Sequence, residues 1–485
     1  MDDKLSENYV WNVIHDFYKK EGLLSHQKES FNYFLSVGID NIIQETDVVI
    51  EQPGLKYKAK FKNAYIPSPS IIDDNRKLKV LYPSEAIKRD LNYESSVCVD
   101  IDEIFETEGE EPEFISHKRI EIAKTPIMLL SDKCNLTKLT KNERIEKGEC
   151  LHDDGGYFII KGKERVLVGQ IRGMYNHPIV IPQKSGDKYK YSCDVRSMSE
   201  ETGHSVLLQC KIGVDDRTIV FSLPNIKDVI PVGVVFKALG FTEEKDIINI
   251  IGNKNKENSK YLKYIIRDSY HIKTQEDALK YIGQYSLHII KDENREKYAL
   301  QIVENELLPH MGITSTIKEK TIYLGHMVSK LLDTHVDIRK EDDRDNYLNK
   351  RVEMAGILCH DLFRTLFKRY VKTVQLQLEK KKQRPDILSV VNRMTSITIG
   401  LKHSFATGNW GVQKNNYIRT GVSQVLARMN YGSTLSHLRR CVIPIGKEGK
   451  NAKIRQTHPS QIMYLCPNET PKFWESNTKS IASLI

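Results

Sequence analysis

"MAGILCHDLFRTLFKRYVKTVQLQLEKKK" (354–382) decides how the rest of the chain is read. Leu358, Leu362, Leu366 and Tyr370 recur four apart, and Phe363, Phe367 and Val371 lie beside them. That 3.6-residue period predicts one long amphipathic helix with a broad apolar stripe. Its charged end, "EKKKQRPD", stops before Pro385, where the ring would clash with a continuing helix.

Upstream, apolar periodicity beginning at Val229 ("VIPVGVVFKALGF") predicts helices over 236–335. Residues 194–235 hold strand runs such as "SVLLQCKIGV" and "TIVFSL". "GGYFIIKGKERVLVGQ" (155–170) reads as a hairpin turning at Lys161–Gly162 with a basic tip. Residues 46–130 are strand-rich, in "DVVIEQPG", "KYKAKFKNAYI" and "KLKVLYP", with the acidic "DIDEIFETEGEEPEF" expected as a solvated loop. Residues 8–45 read as helix, with Phe31, Phe34 and Leu35 on one face and Gly38 breaking it. Strand-rich stretches split by a helical one fit an α+β multidomain protein and not a doubly wound sheet.

The 485 residues allow roughly two to four domains. Charged residues are 28% and hydrophobic residues 40%, a globular composition. The net charge of +9 is a mild excess over so long a chain, so a basic partner surface must be local. No apolar run approaches the roughly 18 residues of a membrane span, and the N-terminus has no secretory h-region. The eight cysteines form no C-x-x-C pair, so they read as buried, reduced thiols.

Enzyme motifs are mostly absent. "GYFIIKGKE" fails as a phosphate loop: five residues separate Gly156 from Gly162 where the motif has four, and Glu164 follows Lys163. "EDDRD" (341–345) contains Arg344 and reads as an ion-pair cluster in preference to a magnesium site. The segment 433–460 stands out. It carries Arg439, Arg440, Lys447, Lys450, Lys453 and Arg455, with Glu448 the only acid and Gly446 and Gly449 in its middle. On spacing alone, a solvated face and a phosphate-contacting loop both fit.

Several stretches in order resemble the second-largest subunit of multi-subunit DNA-directed RNA polymerases, of the RNA polymerase II type with its archaeal and large-virus relatives. They are "TPIMLLSDKCNL" (125–136), "GGYFIIKGKERVLVGQIR" (155–172), "VVFKALGF" (234–241), "DDRDNYLNKRVEMAGILCHDLFRTLFK" (342–368), "GLKHSFATGNWG" (400–411), "GVSQVLARMNYGSTLSHLRR" (421–440), "PIGKEGKNAKIRQTHPSQ" (444–461) and "LCPNETP" (465–471). The resemblance covers about residue 20 to 471.

It implies a strand-rich protrusion in two segments, 20–193 and 359–410, with an inserted α/β lobe, 194–358. A truncated fork, 411–471, and a non-matching tail, 472–485, follow. By resemblance, protrusion and lobe wall the cleft that holds DNA, and the fork lies beside the RNA–DNA hybrid. Arg439, Arg440, Lys447, Lys450, Lys453, Arg455 and Gln456 would contact nucleic acid through phosphate and shape, since a transcribing enzyme must accept every sequence. Glu469 would lie near the nucleotide site. No catalytic residue is implied in this segment, which binds no cofactor. The family's Mg2+ belongs to the largest subunit and its Zn2+ to a C-terminal part that this sequence lacks. Implied partners are the DNA template, the RNA–DNA hybrid, the largest and other polymerase subunits, and initiation factors, with no membrane.

Where the family continues E-T-P-E-G, Pro471 is followed by "KFWESNTKSIASLI". The chain therefore reads as an N-terminal portion, cut by an intron, intein, frameshift or natural split, and exposed apolar surface is expected around Ile462–Leu465. The Lys-, Asn- and Ile-rich composition favours a large DNA virus, hence virion or host cytoplasm, with a cellular nuclear subunit as the alternative. A non-catalytic nucleic-acid-binding or assembly module, no longer part of a polymerase, is the second functional reading.

Overall fold

The computed structural model describes residues 7–52, 55–72, 77–107, 111–252, 258–287, 291, 294–312, 316–380, 385–411, 419–443, 458–469 and 481–483. The chain divides into two compact units, Met1–Arg172 with Val352–Ile485, and Gly173–Arg351. Both mix helix and sheet, as an α+β protein does.

The predicted long helix is Ala355–Lys380, and Leu358, Leu362, Phe363, Leu366, Phe367, Tyr370 and Val371 are all buried. Burying such a row contributes roughly 1.5–3 kcal/mol per large side chain. The rings interlock across elements. Phe363 meets Phe34 with centroids 6.2 Å apart, Phe367 meets Phe61 at 5.6 Å, and Phe158 links Phe31 at 5.2 Å to Phe405 at 4.9 Å. Trp410 is buried and donates its indole N–H to Leu358 O at 2.8 Å.

The N-terminal segment is helical over Glu7–Glu21, Ser25–Tyr33 and Ile39–Gln44. The break falls at Gly22 (φ +80°), not at Gly38, which lies in a π-turn, Phe34–Gly38, with helical backbone. Gly38 serves packing instead: a Cβ there would stand 3.0 Å from the His360 ring on the long helix.

One antiparallel sheet has the order Val48–Gln52, Leu55–Tyr65, Glu94–Thr107, Glu113–Pro126. Most of the acidic stretch is therefore strand. Its outward residues meet an alternating row of lysines: Lys60 pairs in register with Asp102 and Lys62 with Asp100, and the Lys62 ammonium is 2.7 Å from Asp102. Cross-strand opposite charges on an exposed face stabilise such a pair. The inward Glu103 is buried, and it is satisfied by Tyr57 Oη at 2.6 Å and His117 Nε2 at 2.7 Å.

The predicted hairpin forms as Phe158–Ile160 and Lys163–Leu167. Lys161 (φ +49°) and Gly162 (φ +67°) turn it with two left-handed residues, the geometry that matches strand twist. Gly169–Gly173 lies between Lys350–Glu353 and Arg440–Val442 in a further sheet. Ile481–Ser483 pairs antiparallel with Arg440–Val442.

The second unit is a five-stranded antiparallel meander, Ile179–Pro182, Tyr189–Met198, Ser205–Gly213, Ile219–Ser222 and Val229–Pro231, followed by helices from Val232–Ala238 to Ile317–His335. "EDDRD" is ion-paired as expected: Asp342 meets the buried Lys330 at 3.0 Å and Arg339 at 2.5 Å, and Arg344 meets Asp194 at 3.1 Å. Five cysteines are buried, whereas Cys150 is exposed and Cys98 and Cys466 are half-buried, so the expectation of buried thiols holds only in part. Among the described residues no helix is long and apolar enough to cross a membrane.

Candidate nucleic-acid interface

Ser423–Val425 adds to the hairpin, with Ser423 opposite Leu167 and Val425 opposite Arg165. A short loop leads into helix Tyr431–Leu438, whose N-terminus is capped by Asn430, its side-chain oxygen accepting the Ser433 N–H at 2.7 Å. Arg439 follows the helix, and Arg440 opens the strand Arg440–Val442, parallel to Gly169–Gly173. Two cations thus stand at a helix C-terminus, where the backbone carbonyls favour positive charge.

The two arginines are held differently. Arg439 is half-buried and donates to the Leu23 carbonyl. Arg440 is half-buried, and its guanidinium has no hydrogen-bond or ion-pair partner among the described residues.

His437 is buried beneath this turn. Its Nδ1 accepts the Ala427 N–H at 3.1 Å, and its Nε2 lies 3.0 Å from Gln424 Oε1, which makes Nε2 the protonated nitrogen. Burial, reinforced by Arg440, pushes the imidazole down to about 4, so it is neutral at pH 7. His26 is also pushed down to about 4, by burial first and then by Arg439 and Lys28.

Glu469 ends the turn Pro467–Glu469 and accepts a hydrogen bond from Ser436 Oγ at 2.6 Å. The structure thereby brings Glu469 to the helix that Arg439 and Arg440 follow. Lys447, Lys450, Lys453, Arg455 and Gln456 lie outside the described residues. Ile462, Met463 and Tyr464 are exposed as expected, but Leu465 is buried.

Sequence reading misses two residues that assemble this region. Gln27 is buried; its Nε2 donates to the carbonyls of Leu167 at 3.3 Å and Leu438 at 3.4 Å, and its Oε1 accepts the Ala355 N–H at 3.2 Å. Arg428 forks onto Glu164, with Nε and Nη2 each 2.7 Å from a carboxylate oxygen. No local pattern marks Gln27. Arg428 stands inside a quoted motif, but its acidic partners are far away in sequence. Among the described residues, no three His, Cys, Asp or Glu side chains gather as metal ligands do.

Comparison with known proteins gives the class to which this chain belongs. A family model described as RNA polymerase beta subunit matches residues 22–401, and one described as RNA polymerase Rpb2, domain 3, matches 424–472. The chain belongs to the RNA polymerase beta-subunit family. It is 38% identical to a probable DNA-directed RNA polymerase II subunit RPB2 homolog of Invertebrate iridescent virus 6, over 97% of this chain and 44% of that protein. It is 35% identical to DNA-directed RNA polymerase II subunit 2 of Arabidopsis thaliana, over 97% of this chain and 42% of that protein. Against DNA-directed RNA polymerase subunit Rpo2 of Sulfolobus acidocaldarius the identity is 35%, over 95% of this chain and 40% of that protein. The chain spans less than half the length of each of these relatives.

Proposed function

We propose that this chain is the N-terminal portion of the second-largest subunit of a DNA-directed RNA polymerase, acting in template-directed RNA synthesis as part of a complex. The observation that carries this reading is the ordered family match across 22–401 and 424–472. In this reading the unit Gly173–Arg351 is the body of the lobe, the other unit holds the protrusion, and 411–471 is the fork. Protrusion and lobe wall the DNA cleft. Arg440, at a helix C-terminus with no ion-pair partner among the described residues, supports phosphate contact at the fork, continued by Arg439, Lys447, Lys450, Lys453, Arg455 and Gln456. Glu469 lies on the side of nucleotide addition. The chain does not catalyse alone: Mg2+ is held by the largest subunit, and the family's Zn2+ by the portion beyond this chain. Its partners are the DNA template, the RNA–DNA hybrid, the other polymerase subunits and initiation factors. It works inside the cell, in the virion or host cytoplasm for a viral enzyme and in the nucleus for a cellular one.

The test is electrostatic. In an assembled polymerase, Lys447→Ala, Lys450→Ala and Lys453→Ala together should flatten the slope of log affinity against log salt by about two units, at roughly 0.7–0.9 per neutralised phosphate. Binding to bubble templates should weaken equally for all sequences, and elongation should slow more than assembly. An unchanged slope with failed assembly would instead make these cations a protein–protein interface.

A further inference from the structure

We infer that Gln27 is a positioning residue that sets where the Arg439 and Arg440 cations stand; the inference rests on the phosphate-contacting reading above. Its side chain is 1% exposed and its amide is used on both sides. Oε1 accepts the Ala355 N–H, at the start of the long helix, at 3.2 Å. That bond orients the group and turns the two N–H donors of Nε2 the other way. They meet the carbonyls of Leu167 at 3.3 Å and Leu438 at 3.4 Å. Gln alone among side chains of this length offers one acceptor and two donors in one plane.

Ties that hold the two arginines converge here. The Leu438 carbonyl is among the last of helix Tyr431–Leu438, which find no partner within the helix, and Arg439 is the next residue. Gln27 answers that carbonyl from 411 positions away. Arg439 itself donates to the Leu23 carbonyl, in the turn that leads into Gln27's own helix, Ser25–Tyr33. Arg440 opens the strand that pairs with Gly169–Gly173, and the chain reaches that strand from Leu167, the second carbonyl that Gln27 holds. The helix carrying Gln27 is fixed in turn: Gly356 N–H donates to Ser30 Oγ at 3.1 Å, and Phe31 meets Phe158 with ring centroids 5.2 Å apart. One amide on an anchored helix thus joins the end of the helix that the cations follow, the approach to the strand beside Arg440 and the start of the long helix. Removing it withdraws a partner from two carbonyls and an N–H in the interior, and the backbone must shift to replace it. A shift of about 1 Å takes a guanidinium N–H out of hydrogen-bond range of a phosphate oxygen.

The test uses polymerase assembled with this segment and a bubble DNA template of mixed sequence, with affinity measured across salt concentrations and the thermal midpoint of the same assembly alongside. The paired change Arg439→Ala with Arg440→Ala should flatten the salt slope by up to about 0.9 for each phosphate left without its cation. Gln27→Met, which keeps the bulk and loses the hydrogen bonds, should flatten it similarly although it removes no charge. Adding Gln27→Met to the pair should flatten it no further, because both act on the same contacts. If the pair flattens the slope and Gln27→Met lowers only the thermal midpoint, Gln27 serves the fold alone; the positioning role is wrong and the phosphate reading stands. If Gln27→Met flattens the slope further on top of the pair, it acts through other cations and the inference is overturned. If the pair leaves the slope unchanged, the phosphate reading fails, and the inference with it. Should Gln27→Met not assemble, Gln27→Asn decides, since it keeps the amide on a stem one methylene too short to reach all its partners: a flattened slope supports the inference, and a wild-type slope overturns it.

Discussion

A buried neutral histidine is a costly choice unless both ring nitrogens are used, and at His437 both are. The arrangement requires one nitrogen bare and one protonated, so acid must break it. The folded imidazole titrates at about 4, whereas the unfolded one titrates near 6.5. Between those values the unfolded chain binds more protons, so stability rises with pH. The contribution, about 3 kcal/mol, is complete above pH ~6.5 and is lost as pH falls to ~4. His437→Asn, which can still accept from Ala427 N–H, should flatten the fall in urea midpoint between pH 6.5 and 4. Parallel wild-type and variant curves would show that the acid sensitivity lies elsewhere, with His26 the next residue to change.

At the scale of elements, the long helix is set against helix Ser25–Tyr33 by the absence of a side chain. A Cβ on Gly356 would fall 1.8 Å from the Ser30 carbonyl oxygen, and Gly356 N–H donates to Ser30 Oγ at 3.1 Å. Gly356→Ala must push the helices apart and should cost about 1–3 kcal/mol or more, seen as a lower denaturant midpoint. A midpoint at or above wild type would mean that the two backbones yield freely. The same helix shows what a sequence discloses. Its one-sided burial follows a 3.6-residue period and is legible in the residues alone. The hairpin at Lys161–Gly162 is legible because few residue pairs tolerate two left-handed positions. The acidic strand is hidden because its charge outweighs its period-two pattern, and because Glu103 is buried against partners that only the folded sheet supplies. Gly38 misleads because a helical glycine that lets a neighbour approach is spelled the same as one that breaks a helix. In the site, the cations are legible as charges. Their division of labour is not, because Arg439 reaches Leu23 across 416 positions.

For the whole molecule, the question is whether the second unit owns its core. Among the described residues, its buried cluster runs from Val180 to Leu332 and draws only on residues within Gly173–Arg351. The strands that carry the chain out and back, Gly169–Gly173 and Lys350–Glu353, are neighbours in one sheet, so the unit's ends lie close together, as an inserted domain requires. Where the cut falls matters. Beginning at 194 would divide strand Tyr189–Met198 and discard Ile179–Pro182, the edge of the meander, with Val180 from the core. Ending at 358 would append the first turn of the long helix, whose apolar residues belong to the other unit's core. A fragment of 173–351 should therefore unfold in one cooperative thermal transition, and a fragment of 194–358 should be less stable and more prone to aggregate. Differential scanning calorimetry on the two fragments checks this. If 173–351 shows no transition while the full chain does, the core is shared between the units and the inserted-domain architecture is wrong. If 194–358 proves the more stable, the edge strand Ile179–Pro182 contributes nothing to the fold of this unit.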